Sequence, residues 1–290
     1  MFKKKYSSRP GFSFKLFFKI ALSLCVAAIV ILFSMDFFKF KKIYKENSKQ
    51  LVTDTVNEIL QLNINLRSKI SHLLIKNQEL LIKLSKDPED TKLIDKINQV
   101  FKAQLSSFYN FSLADQHGTL VTDIFFEQVG RLCRQDIKAF AVNQKHTWLT
   151  IHPGVGQYHY DLILPWEYGG EKRIMFISFY IDDLVKILKN NQRPSHELFI
   201  VRKDKNNLIE LSSSGSRADQ NNTFFLTDKQ LQAYSKNISG TYWTIVELPE
   251  VSIFAYYMQE VWYKKAAQLW FKYFPSLSKL SITTNIQQID

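Results

Sequence analysis

The sequence predicts an α+β fold, and three observations carry that prediction. Residues 158–164 alternate, with Tyr158, Tyr160, Leu162 and Leu164 on one side and His159, Asp161 and Ile163 on the other. This is the period of a strand with one buried face. Residues 166–171 then form a turn around Gly169-Gly170, and 173–180 follow as a run apolar on both faces, so an antiparallel hairpin sits at the heart of a sheet. Ahead of it, residues 41–86 hold no Pro or Gly and read as helix, while the later strands are short and separated by turns and short helices.

Charge excludes one class of partner. The formal net charge is +11, but the first fifty residues carry eleven Lys or Arg against two acids, and the remaining 240 hold 27 basic and 25 acidic side chains. A region so nearly balanced has no electrostatic footprint for a phosphate backbone, and no nucleic acid is expected. Cys25 and Cys133 offer no CxxC or Cys/His spacing for zinc and no internal disulfide. The bland reading of Cys133 is a small buried side chain.

Residues 1–15 are basic, with Lys3, Lys4, Lys5, Arg9 and Lys15 and no acid, and the positive-inside rule places them in the cytoplasm. Residues 20–35 are sixteen uncharged, mostly apolar positions, and with Lys19 snorkelling the stretch 16–38 is long enough for a transmembrane anchor. A cleavable signal peptide would need a shorter apolar core and small residues at its end, whereas here the run closes on Phe33-Ser34-Met35-Asp36. A single-pass anchor is expected.

Residues 39–90 form a stalk helix. Val52, Val56, Ile59, Asn63, Leu66, Ile70, Leu73, Asn77, Leu80 and Leu84 are spaced alternately four and three apart, with Asn63 and Asn77 at a positions. A parallel homodimer through this seam is one reading. A helix laying its stripe on its own domain is the other, since Leu62, Ile64, Leu74 and Leu81 widen the stripe. Asp87-Pro88 stops the helix.

Residues 91–250 make up the folded domain. A helix is expected over 91–106, strands over 110–114 and 119–125 around the Asp115–Gly118 turn, and a helix over 133–142. A strand over 147–152 leads to the central hairpin. A helix beginning at Asp182-Asp183, a hairpin over 197–212, a helix over 227–236 and a last strand over 242–248 complete the domain. Residues 251–275 read as an amphipathic aromatic helix, too polar for a second span, and 276–290 as a polar tail.

This order, with Ile151-His152-Pro153, Tyr158-His159-Tyr160-Asp161, Phe176-Ile177-Ser178-Phe179, Gly215-Ser216-Arg217 and Gly240-Thr241-Tyr242-Trp243, resembles the PAS-like Cache sensor domains of bacteria. In particular it resembles the N-terminal sensor regions of membrane-bound diguanylate cyclases, over roughly residues 100–250. The GGDEF motif of the cyclase domain is missing. The resemblance therefore implies a sensing half: a single-pass protein of the bacterial inner membrane with a periplasmic Cache-like domain, an unidentified small-molecule ligand and a separate output protein. Two alternatives stay open, an envelope docking protein using the same domain and an inactive remnant of a cyclase.

The candidate ligand-binding residues are Tyr158, His159, Asp161, Trp166, Arg173 and Arg217. The aromatics suit the walls of an apolar pocket, and the arginines suit bidentate capture of a carboxylate. His159, Asp161 and His152 would also serve a divalent metal, but a hydrogen-bonded cluster fixing the sheet edge is the reading taken, so no metal or cofactor is expected. No nucleophile–base pair or phosphate-cradling loop stands out, and no enzyme is expected.

Overall fold

The computed structural model describes residues 14–122, 130–143, 149–153, 158–216 and 225–273. Contacts divide the chain into two units, residues 1–46 with 251–290, and residues 47–250.

The first unit is built on the start of helix α1 (Phe14–Lys76), whose apolar stretch has a mean hydropathy of 2.5 over its best window, with none of that window buried. It is long and apolar enough to cross a membrane. The C-terminal segment is helical as expected: α7 (Ile253–Tyr257), a π-turn over Met258–Trp262, and α8 (Tyr263–Tyr273). Its aromatics pack on α1, with ring centroids 5.1 Å apart for Phe40–Tyr257 and 5.5 Å for Phe37–Phe254. Tyr257 donates its hydroxyl to Asp36 at 2.8 Å, and Lys265 reaches the same carboxylate at 2.9 Å.

The second unit holds α2 (Gln78–Lys86), α3 (Thr91–Gln104), β1 (Phe108–Asp115), α4 (Arg131–Val142), β2 (Thr150–Pro153), β3 (Tyr158–Tyr168) and β4 (Glu171–Tyr180). After these come α5 (Asp182–Asn191), β5 (His196–Arg202), β6 (Leu208–Ser212), β7 (Gly215–Ser216), α6 (Asp228–Ala233), β8 (Ser235–Asn237) and β9 (Trp243–Pro249). Two antiparallel sheets result, ordered β1-β4-β3-β2 and β7-β6-β5-β9-β8. The class is α+β, as the sequence predicts.

One core runs beneath both sheets. Val56, Ile59, Leu66 and Ile70 of α1, Leu81 of α2 and Phe101 of α3 meet Tyr160, Leu162, Met175 and Ile177 of the first sheet and Ile200, Trp243 and Ile245 of the second. The stalk stripe is thus consumed inside the chain, which corrects the coiled-coil seam. Asn77 is not a buried a-position residue either: it breaks the helix between α1 and α2, its Nδ2 donating to the Leu73 carbonyl at 2.9 Å. An asparagine that satisfies the last carbonyls of one helix lets the next restart at a new angle.

The central hairpin is present but longer. β3 continues through Trp166 to Tyr168, and only Gly169 and Gly170 turn, at φ of +59° and +83°. A two-residue loop with both angles positive is the form that follows strand twist, and two glycines adopt it without strain. The expected single buried face of β3 is wrong, because both faces are covered. Tyr160, Leu162 and Leu164 point into the main core, while Ile163 packs with Ile174 and Phe176 against Cys133, Ile137 and Phe140 of α4.

Elsewhere the departures are small. The partner strand expected over 119–125 is a single bridge, Leu120 to Ala114, with 123–129 outside the described residues. The helix expected over 227–236 ends at Ala233, because Ser235–Asn237 pair with β9 as an edge strand. Thr227 and Gln230 close a reciprocal capping box at its start.

Candidate functional site

The site lies on the face of the first sheet that α4 covers. On α4, Cys133, Asp136, Ile137 and Phe140 fall at i, i+3, i+4 and i+7, the spacing that sets side chains on one face. On the sheet, pairing places Thr150 opposite Asp161 and Asp161 opposite Ser178, with His152 opposite His159 one step along. Period-2 geometry then sends His159 and Asp161 to the same face, where α4 closes over them. Both are buried, at 2% and 1% exposure, and His152 is at 4%.

The polar groups divide into a satisfied and an unsatisfied half. His152 Nε2 lies 2.8 Å from Asp136 Oδ2, and Thr150 donates to the same oxygen at 2.7 Å. Burial opposes the charge on His152, yet the Asp136 hydrogen bond and the nearby Asp161 outweigh it and raise its pKa. Burial likewise works against ionised Asp136, but the hydrogen bonds from His152 and Thr150 hold its carboxyl below the ordinary range. This half is closed by direct hydrogen bonds. Asp161 is different. Ser178 donates to its Oδ1 at 2.7 Å, but Oδ2 has no hydrogen-bond partner, and both His152 Nε2 and His159 Nε2 stand 3.6 Å from the carboxylate. Burial pushes this carboxyl above its ordinary range, against the pull of the two histidines. Cys133 Sγ lies 3.5 Å from His159 Nε2, and burial, reinforced by the Asp161 charge, pushes its thiol well up.

Beside this cluster opens a cleft of about 190 Å³. It is lined by Asp136 and Phe140 of α4, Thr150 of β2, Ile163 of β3, Arg202 of β5 and Tyr242. Arg202, at the end of β5, is held by a bidentate pair with Asp204 at 3.0 and 2.7 Å and sits 5.8 Å from the Tyr242 ring centroid. The cleft lining therefore combines a carboxylate and a guanidinium with apolar carbon.

The structure separates the residues picked from sequence. His159 and Asp161 come together in the cluster. Trp166 is buried on the opposite face of β3 and joins Arg173 along a second pocket of about 240 Å³, where Arg173 pairs with Glu171 at 2.7 Å. Tyr158 is half-buried against the main core, and Arg217 lies outside the described residues. Sequence reasoning missed Asp136, Thr150, Arg202 and Tyr242. Only the i, i+4 pairing of Asp136 with Phe140 hints at a polar group on an inward helix face.

No family model matches the chain, and no curated protein sequence matches it. Among solved structures, the sensor domain of the V. cholerae histidine kinase DctB is similar over 74% of this chain and 100% of that one, at 14% identity and a TM-score of 0.48. The periplasmic domain of V. cholerae LuxQ is similar over 70% and 96%, at 11% identity and a TM-score of 0.43. The sensory domain of the Campylobacter jejuni chemoreceptor Tlp3, solved with isoleucine bound, is similar over 73% and 95%, at 13% identity and a TM-score of 0.40. At these scores the similarity carries no argument about ligand or output, and the functional reading rests on this chain's own residues.

Proposed function

We propose that this chain is a membrane-anchored sensor whose 47–250 unit binds a small molecule in the Asp136–Arg202 cleft. The cleft itself is the observation that supports it. A docking module would fill that space with side chains; here about 190 Å³ stays open between opposite charges. Small-ligand sites are concave, mostly apolar and furnished with a few convergent polar groups. Arg202 suits a carboxylate, Asp136 suits an ammonium, and Phe140 and Ile163 suit a short carbon chain, so a small zwitterion is the ligand class. The reading puts the apolar part of α1 across the bacterial inner membrane and the sensor unit in the periplasm. Occupancy would be passed on through α1 to a separate output protein. A homodimer belongs to the same reading, but on a new face: Ile64 and Ile75 of α1 are 58% and 70% exposed and fall on one side of the helix.

The test is thermal melting of the full chain in detergent against a panel of amino acids, dicarboxylates and amines. A ligand present at about 100 times its Kd adds about 2.7 kcal/mol of stability. The stabilising compound should carry both charges, and Arg202→Met should abolish its effect. A panel with no stabilising member, or a shift that survives Arg202→Met, overturns the proposal.

A further inference from the structure

We propose that Cys133, His159 and Asp161 bind one divalent transition-metal ion of the zinc class, at a site separate from the zwitterion cleft. The donor atoms of these three buried residues lie within 4.8 Å of one another. Direct hydrogen bonds between nitrogen and oxygen would draw the pairs to about 2.7–3.2 Å. Asp161 Oδ1 stands outside that range, 3.6 Å from His159 Nε2, while Cys133 Sγ is within sulfur hydrogen-bond distance of the same nitrogen at 3.5 Å. Bonds of about 2.0–2.3 Å to a tetrahedral zinc give ligand–ligand edges of about 3.3–3.6 Å; the two edges at His159 are already at that separation, and the third lies within 4.8 Å.

Two further observations point the same way. Asp161 Oδ2 is buried, 3.6 Å from His152 Nε2, and has no hydrogen-bond partner, which is costly for a carboxylate oxygen. A void of about 10 Å³ is lined by Cys133 and His159 together with Tyr109, Ser112 and Ser178. That is the space of about one water molecule, beside two of the three proposed ligands. A thiolate, a carboxylate and a neutral imidazole around a doubly charged cation sum to zero, which removes the penalty of burying either anion alone. Binding displaces the Cys133 proton to solvent, and the ion bonds to the sulfur lone pair. The groups behind the ligands are in place as well: Ser178 orients Asp161 at 2.7 Å, and the Tyr109 ring lies against His159 at 5.5 Å. The mixed sulfur, nitrogen and oxygen set favours zinc over magnesium or calcium. The expectation from sequence that the chain holds no metal is the reading this inference replaces.

The test uses the full chain in detergent, stripped with chelator and titrated with Co²⁺. The result expected is one equivalent bound, with a thiolate-to-cobalt charge-transfer band and intense tetrahedral d–d absorption, both bleached by one equivalent of Zn²⁺. Cys133→Ser should lose the charge-transfer band while Cys25→Ser keeps it, and His159→Gln should weaken binding at least tenfold. Asp161→Asn should also bind at least tenfold more weakly while keeping its far-ultraviolet circular dichroism and melting cooperatively, so misfolding does not explain the loss. Arg202→Met, which disables only the cleft, should leave the cobalt spectrum unchanged, so the two sites fail independently. No band in the wild-type chain, or a band that persists in Cys133→Ser, overturns the metal site.

Discussion

Replacing Asp161 by Asn in chelated buffer should make the protein more stable. The side chains are isosteric, and the remaining amide oxygen still accepts from Ser178, which donates at 2.7 Å in the native chain. The change removes a buried charge whose second oxygen has no partner and whose histidine neighbours stay 3.6 Å away. Leaving a buried polar atom unpaired costs about 1–3 kcal/mol, and an amide left in the same position costs less than a carboxylate. A net gain of about 1–2 kcal/mol follows, which for a unit of this size raises Tm by about 3–6 °C. The sign with pH is fixed by linkage. Burial raises the Asp161 carboxyl above 3.8, so the folded chain holds that proton more tightly than the unfolded chain. The stability this confers is present below 3.8 and lost as pH rises through the raised value. The advantage of Asp161→Asn is therefore smaller at pH 4 than at pH 7. Circular-dichroism melts of both proteins at these two pH values read it directly, and adding zinc should reverse the order by stabilising only the wild type. If Asp161→Asn is the less stable protein at pH 7 without metal, the carboxylate is well compensated and the argument from its unpaired oxygen is wrong.

Three other perturbations check separate parts of the structure. Ile70→Ala, at a fully buried position of α1, should cost about 2–5 kcal/mol, and the loss should not depend on protein concentration; a concentration-dependent loss would return the stripe to a dimer seam. Gly118→Ala should cost more than about 1 kcal/mol, since the residue has φ of +79° and a new Cβ would sit 2.9 Å from the Lys138 backbone of α4; an unchanged denaturant midpoint would refute that contact. Finally, His152 gains its partner Asp136 on folding and its pKa rises above 6.5. Its contribution is complete below pH 6.5 and is lost as pH climbs through the raised value, so stability should fall over that range in the wild type and less in His152→Gln.

Much of the fold is legible because its signals are local. Paired glycines, the Asp90 cap at the start of α3, the Thr227–Gln230 box and the run of apolar residues in α1 each report on their own few neighbours. What α1 packs against is not local. A stripe spaced four and three apart is demanded equally by a partner helix and by a sheet folded back from later in the chain, so Val52 to Leu84 could not decide between them. The asparagines looked decisive, yet Asn77 ends a helix and Asn63 accepts a hydrogen bond from Arg67 one turn away at 3.0 Å.

The site was half legible for a related reason. Alternation showed that His159 and Asp161 share a face, but polar residues on a strand ordinarily signal solvent, and the cover comes from α4, whose Cys133 lies 26 positions earlier in the chain than His159. Burial is what gives these side chains chemistry. In water Asp161 would be an ordinary carboxylate and Cys133 an ordinary thiol, whereas beneath α4 each is held against its charge, and a cation that neutralises both has a strong reason to bind. Retaining such a costly pair in a core is a cost that hydrophobic residues of the same volume would remove. The Asp136–His152 pair next door shows that the same face can satisfy a buried charge with a direct 2.8 Å contact. Asp161 has a direct contact on one oxygen only, from Ser178 at 2.7 Å, and its unpartnered Oδ2 sets it apart from Asp136.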